Sequence, residues 1–317
     1  MKKIDVQAML MENATEKLKA VFLACDSKIL NSAYEIRIRQ NLPLCIRTFQ
    51  GEFFISPAGD MLDKPEGGFL PSHNHIKGML DKFANHSLYA FDSEIKKGYI
   101  TINGGHRVGI GGSVTLEGED VKTIKHIGSL NIRIARQVIG AADAVLPFIL
   151  NDGPCNTMFI SPPACGKTTI LRDTVRQLSL NGYNVAVVDE RSEIGGCHMG
   201  VAQNDLGPRT DVLGGVPKAV GMMLALRSLA PEVIAVDEIG SEEDAQTIGD
   251  MARAGTVMLC TLHGRNIEDL RCRRMLTTLI SNKIIRRYIF LGDNPMPGTI
   301  VNVYDEDFVP LFPKEKT

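Results

Sequence analysis

Hydrophobic and polar positions alternate in the first half of the chain and bunch together in the second. In "AYEIRIRQNLPLCIRTFQGEFF", Ile36 and Ile38 fall on one side, and Glu35, Arg37 and Arg39 on the other. That two-residue period predicts a half-buried strand. Asn41 and Pro43 break it, and a second strand follows through Cys45, Arg47 and Phe49. Upstream, the spacing predicts a helix over Ala8 to Ala24. Residues 56–71 are rich in Pro and Gly and read as a loop, and a helix is expected from His73 to Leu88. "GYITINGGHRVGIGG" predicts two short strands around Asn103-Gly104-Gly105, a hairpin signal. This half reads as a small α+β module.

In the second half, short apolar runs alternate with helical stretches. The runs are TMFI (157–160), VAVV (185–188), VIAV (233–236) and VMLC (257–260). Fully apolar strands separated by helices predict a parallel sheet covered on both faces. The two halves meet near Gly140 to Asn151, so domains of 1–139 and 140–317 are expected. Ligands bind at the carboxyl ends of parallel strands, and the residues there carry chemistry.

The first apolar run leads into Ser161-Pro162-Pro163-Ala164-Cys165-Gly166-Lys167-Thr168-Thr169. This matches the phosphate-binding loop G-x-x-x-x-G-K-[ST], except that Ser161 replaces the leading glycine. A helix follows, with Ile170, Leu171, Val175 and Leu178 on its buried side and Asn181-Gly182 at its end. In such a loop, backbone N–H groups and the helix dipole favour phosphate. Lys167 would bridge the β- and γ-phosphates, and Thr168 would hold magnesium through its hydroxyl. Serine costs little at the first position unless its backbone must take positive φ. Nucleotide binding is therefore expected despite Ser161.

Acids follow the next two strands. Asp189, Glu190 and Glu193 lie in "VVDERSE", and Asp237 and Glu238 in "VIAVDEIG". The second is a Walker B arrangement: Asp237 would orient magnesium or its waters, and Glu238 would polarise an attacking water. The fourth strand leads into Thr261-Leu262-His263-Gly264, where His263 could sense the γ-phosphate or orient the water. Cys165, near a helix N-terminus, is a candidate reactive thiol. His73-x-His75 and Cys197-His198 lack further ligands at metal spacing.

Composition narrows the class. The 317 residues are 44% hydrophobic and 23% charged, enough for a sizeable core. The net charge of -2 offers no electrostatic argument for nucleic acid. Seven cysteines without paired spacing suit a reducing cytosol. Polar residues interrupt "MKKIDVQAMLMENATEKLKAVFLACD" too often for a signal peptide or membrane span. A soluble, cytoplasmic chain is expected, touching any membrane through a partner.

Taken in order, these motifs resemble the motor ATPases of type II and type IV secretion and of type IV pili. Those carry a P-loop, an acid-rich Asp box, a Walker B and a His box. "VVDERSE", "ALRSLAPEVIAVDEIGSEEDAQTIGDMARAGTVMLCTLHG" and "EIRIRQNLPLCIR" carry the likeness. Within the superfamily, "SPPACGKTTILRD", "GPRTDVLGG", "GHRVGIGG" and "SLNIRIARQVIGAAD" point to a sporulation-associated branch. The resemblance implies an α/β fold: a RecA-like P-loop NTPase domain behind a smaller α+β domain. It also implies an Mg-dependent ATPase, with ATP and Mg2+ as cofactors. Such an enzyme would form a hexameric ring at a membrane-anchored partner, powering a channel between mother cell and forespore. Asp237 stands where secretion ATPases commonly have glycine, which leaves Glu238, Glu190 and Glu193 all candidates for activating water. Glu238 is favoured by its place after the strand. Transition-state charge on the γ-phosphate calls for arginine. The resemblance puts Arg107 and Arg133 in that role, ahead of Arg37, Arg39, Arg209 and Arg227. Two rival functions remain: a nucleotide-dependent scaffold with little turnover, and a nucleic-acid motor.

Overall fold

A computed structural model describes residues 5–85, 87 and 91–312. They divide into two compact units, Met1–Arg136 and Gln137–Thr317.

Unit 1 opens with helices α1 (Val6–Asn13), α2 (Glu16–Ala24) and α3 (Ser27–Ser32). The single helix expected over Ala8 to Ala24 is thus two: Ala14 is extended, as is Thr15, which sits at the N-cap of α2. Strands β1 (Glu35–Arg39), β2 (Cys45–Thr48), β3 (Gly51–Ile55) and β4 (Met61–Leu62) follow. So do helices α4 (His73–Phe83) and α5 (Asp92–Lys96) and strands β5 (Tyr99–Thr101), β6 (Arg107–Glu117) and β7 (Asp120–Arg133). Helix α4 stops short of the expected end; His86 and Leu88 lie outside the described residues. His75 is taken up in its cap, accepting from the Ser72 N–H at 3.0 Å.

The strands pair antiparallel in the order β4-β3-β2-β1-β7-β6-β5. Cross-strand register turns the alternation into two faces. One row, Ile100–Val108–Ile132–Ile36–Ile46, joins a core shared with α1 to α5. The adjacent row is Thr101–Arg107–Arg133–Glu35–Arg47–Glu52. Arg107 lies over the Tyr99 ring at 3.5 Å. Glu35 pairs with Arg37 and Arg47. Burial pushes its carboxyl up, but Arg37, Asn131 and Arg47 more than offset this and hold it below the usual range.

Unit 2 contains α6 (Leu146–Ile149), β8 (Thr157–Ser161), α7 (Lys167–Leu180), β9 (Val185–Asp189), β10 (Thr210–Gly214) and α8 (Lys218–Leu229). Strand β11 (Val233–Val236), α9 (Glu242–Arg253), β12 (Val257–His263), α10 (Ile267–Arg271) and α11 (Thr277–Ser281) come next. The hairpin β13 (Arg287–Gly292) and β14 (Thr299–Tyr304) closes the unit. The sheet order is β10-β9-β11-β12-β8-β13-β14, parallel except for β14. Alternate residues of β8 enter different cores: Met158 and Ile160 join one, and Phe159 joins the other with Ile170, Leu171, Val175 and Leu178 of α7. Burial on both faces explains the uninterrupted apolar runs.

One buried polar residue makes unit 1 acid-sensitive. His106 is 2% exposed, and its Nδ1 accepts from the Ala135 N–H at 3.1 Å. Burial, and then the Arg136 charge, push its pKa down to about 4. Folding therefore favours neutral His106. That stability is present above the unfolded value near 6.5 and is lost as pH falls towards 4. In denaturant unfolding, wild type should lose about 2–3 kcal/mol more than His106→Gln between about pH 7.5 and about pH 4.5. Equal losses would contradict this.

Candidate nucleotide site

The loop between β8 and α7 is built by a short strand that gives way to a left-handed turn. Ser161 is still the last residue of β8, paired in register with His263. It is not among the positive-φ residues, which in this loop are Ala164 (φ 62°) and Gly166 (φ 82°). An extended position does not require glycine. Ser161 also gains contacts: its carbonyl accepts from the Gly264 N–H and the Lys167 ammonium, and its Oγ donates to Pro162 O.

Gly166 answers a different constraint. A Cβ there would sit 2.9 Å from the Gly298 nitrogen, and Gly298 itself has φ 93° and lies against Ile170. The Gly298 N–H donates to Cys165 O at 3.0 Å. The β13–β14 turn thus braces the loop through two glycines in contact. Cys165 is 6% exposed, which removes the accessibility expected of a reactive thiol.

Pro163, Ala164, Gly166, Lys167, Thr168 and Thr169 line an open cleft of about 720 Å3 with Glu193, Asp237, Glu238 and His263. Lys167 Nζ is held by Ser161 O (3.0 Å), Ser161 Oγ (3.1 Å), Pro162 O (2.9 Å) and His263 Nδ1 (3.0 Å). Burial lowers its pKa, while Asp237, Cys165 and Glu238 act the other way. His263 Nε2 lies 3.1 Å from Glu238 Oε1. With Nδ1 accepting from an ammonium, the ring is the Nε2–H tautomer and donates to Glu238. Lys167, His263 and Glu238 form one hydrogen-bonded string.

Asp237 Oδ2 accepts from Thr168 Oγ1 at 2.7 Å, and its Oδ1 accepts from Thr261 Oγ1. Thr261 Oγ1 in turn accepts the Glu238 N–H at 2.7 Å. Glu238 has φ 51°, a left-handed conformation that costs a non-glycine residue and persists only when its surroundings fix it. Thr261 does so: its carbonyl also takes the Ile239 N–H.

The first acidic cluster divides its work. Asp189 is 2% exposed and accepts the N–H groups of Glu193, Ile194 and Gly195 at 2.8, 3.1 and 2.7 Å. Burial raises its pKa against the pull of those donors. Arg172 of α7 donates to the carbonyls of Ile194 and Glu193. These bonds shape the 189–195 turn and hold Glu193 at the cleft. Glu190 is paired with Lys218 at 2.7 Å and lines a neighbouring cavity of about 270 Å3. Arg107 and Arg133 belong to unit 1 and are partners in the β6–β7 register.

Motif reading gave no role to Thr261, Arg172, Arg191 or Gly298 in this neighbourhood, and singled out Lys218 only as part of the family likeness around "GPRTDVLGG". Thr261 could have been found, since residues two apart on a strand share a side and His263 was already singled out. Gly298 had no local signal, because its partner is remote in the chain.

The family profile described as "Sporulation stage III, protein AA" matches residues 7–310. The chain belongs to that family. A member of the Sporulation stage III, protein AA family, the stage III sporulation protein AA of Bacillus subtilis (strain 168), is 41% identical over 278 residues. The match covers 86% of this chain and 87% of that protein. Among solved structures, the Legionella pneumophila ATPase DotB is similar with a TM-score of 0.54 at 17% identity, over 86% of this chain and 76% of that one. The pilus retraction motor PilT, solved with bound ADP, gives 0.54 at 15% identity, over 83% and 75%. These likenesses show that the chain shares the RecA-like fold of those ATPases. No helix among the described residues is long and apolar enough to cross a membrane.

Thr261→Val keeps the shape but removes both hydroxyl bonds. It should cost about 1–3 kcal/mol in denaturant unfolding, and Thr261→Ser should recover most of that. A valine variant as stable as wild type would show that the hydroxyl does not hold this turn.

Proposed function

We propose that this sporulation protein is a magnesium-dependent ATPase working as a secretion-type motor. The observation that carries the reading is the convergence of Lys167, Thr168, Asp237, Glu238 and His263 on one cleft at the carboxyl ends of β8, β11 and β12. Its backbone donors suit the phosphates of ATP.

The residues fit a hard cation. Thr168 and Asp237 present a hydroxyl and a carboxylate already in contact, an oxygen pair of the kind that holds magnesium together with substrate phosphates and water. Bound there, magnesium would neutralise charge on the phosphate oxygens. The chain's own groups do the rest. N–H groups from Ala164 to Thr169 hold the β-phosphate. Lys167 exchanges the Ser161 and Pro162 carbonyls for β- and γ-phosphate oxygens. Glu238 accepts a proton from the water that attacks the γ-phosphorus. The bond from that phosphorus to the β–γ bridging oxygen breaks, ADP leaves with the oxygen, and inorganic phosphate is the second product. His263 holds Glu238 and reports, through Lys167, whether phosphate is present. Glu238 is preferred to Glu190, whose carboxylate is already taken by Lys218, while Glu193 remains the second candidate.

Arg107 and Arg133 are proposed to bring positive charge to the γ-phosphate from a neighbouring protomer of a hexameric ring. The ring would sit in the mother-cell cytoplasm against a membrane-anchored partner and power a channel towards the forespore. Direct contact with nucleic acid is not part of this reading.

Phosphate release by the assembled protein tests it. Wild type should turn over in the presence of magnesium, and Glu238→Gln should fall by roughly 10²–10⁴-fold while still binding ATP. Negligible release from both proteins would favour a nucleotide-dependent scaffold. Stimulation by a polynucleotide would favour a nucleic-acid motor.

A further inference from the structure

The cations around the cleft are not equally committed. Lys167 is buried among its acceptors, Lys218 is closed on Glu190 at 2.7 Å, and Arg172 is engaged by the Glu193 and Ile194 carbonyls. Arg191 differs. Its side chain is 63% exposed, and its Nη1 lies 3.5 Å from Glu238 Oε2. It lines the smaller cavity together with Glu193, Asp237 and Glu238. Its backbone is nevertheless well placed, between the buried Asp189 carboxylate and the three N–H groups that carboxylate gathers. A firm main chain therefore carries a loosely held guanidinium at the edge of the acids.

We propose that Arg191 is a γ-phosphate ligand supplied from within the same unit, and that it otherwise neutralises Glu238. The inference rests on the ATPase reading above and adds a residue that reading did not use. An exposed ion pair at this distance contributes little, so it exchanges readily. A terminal phosphate offers more charge and two oxygens to a planar guanidinium, and is the better partner. Exchange has two consequences. Positive charge arrives where the triphosphate ends, and Glu238 is released to accept a proton from water. ADP lacks the terminal group and leaves the Arg191–Glu238 pair in place. The residue thus distinguishes ATP from ADP by its choice of partner.

Calorimetric titration of the full chain with Mg-AMP-PNP and with Mg-ADP tests this without relying on turnover or assembly. Arg191→Ala should weaken AMP-PNP binding on the order of tenfold and change ADP binding by no more than about twofold. Arg191→Lys should recover part of the loss, since it restores charge but not the fork. Unchanged affinities, or equal losses for both nucleotides, would overturn the role of Arg191 and leave the ATPase reading standing. A wild-type chain that bound neither nucleotide would overturn both.

Discussion

The position of one strand sets the spacing of the whole site. Strand β12 lies between β8, which carries the phosphate loop, and β11, which carries Asp237 and Glu238. With about 4.8 Å between neighbouring strands, β8 and β11 run roughly 10 Å apart, and Thr168 reaches across to Asp237 Oδ2 at 2.7 Å. Lys167 Nζ is turned to Ser161 O, Pro162 O and His263 Nδ1 rather than to the acids. The gap is filled from β12 itself. Thr261 turns to Asp237 and Glu238, and His263 turns to Lys167 and Glu238.

The charges of the cleft are answered from within the fold. Loop carbonyls stand where phosphate oxygens would approach Lys167, and the Thr168 hydroxyl donates to the carboxylate with which it would share a cation. Buried charge is costly unless paired, and Lys167, 7% exposed, is paired by carbonyls of its own loop and by His263. Ser161 belongs to this arrangement. Its hydroxyl adds an acceptor for Lys167 that a glycine would not supply.

What could be read from the chain followed the range of each interaction. The four apolar runs became β8, β9, β11 and β12 because burial on both faces requires just that local pattern. The P-loop and acid motifs were legible because each lies within a few residues of its strand. The hairpin β13–β14 was not. Its turn is fixed against Gly166, a contact invisible to any local window. Strand β10 escaped for a similar reason: its "TDVLG" is half-exposed at a sheet edge and lacks a continuous apolar run. The hairpin expected around Asn103-Gly104-Gly105 is β5–β6, whereas the long β6–β7 pair that follows was not read, because it runs on as partly exposed strands without a continuous apolar pattern. The split between α1 and α2 turned on the extended backbone at Ala14 and Thr15, where helix propensity alone gives no stop.

The same reasoning separates the arginines of the two units. In unit 1, Arg107 and Arg133 occupy a sheet row with Glu35, Arg47 and Glu52, facing away from the helix-covered core. Arg37 and Arg39 extend that side of β1. Glu35 and Glu52 balance only part of this positive face, so its chemistry suits an anionic partner. Alternation makes the face a direct consequence of the pattern that builds the core: each inward isoleucine sends its neighbour outward. These arginines are also tied into the fold: Arg107 lies over the Tyr99 ring, and Glu35, 7% exposed, is held by Arg37 and Arg47, so replacing those two would leave a buried carboxylate short of partners.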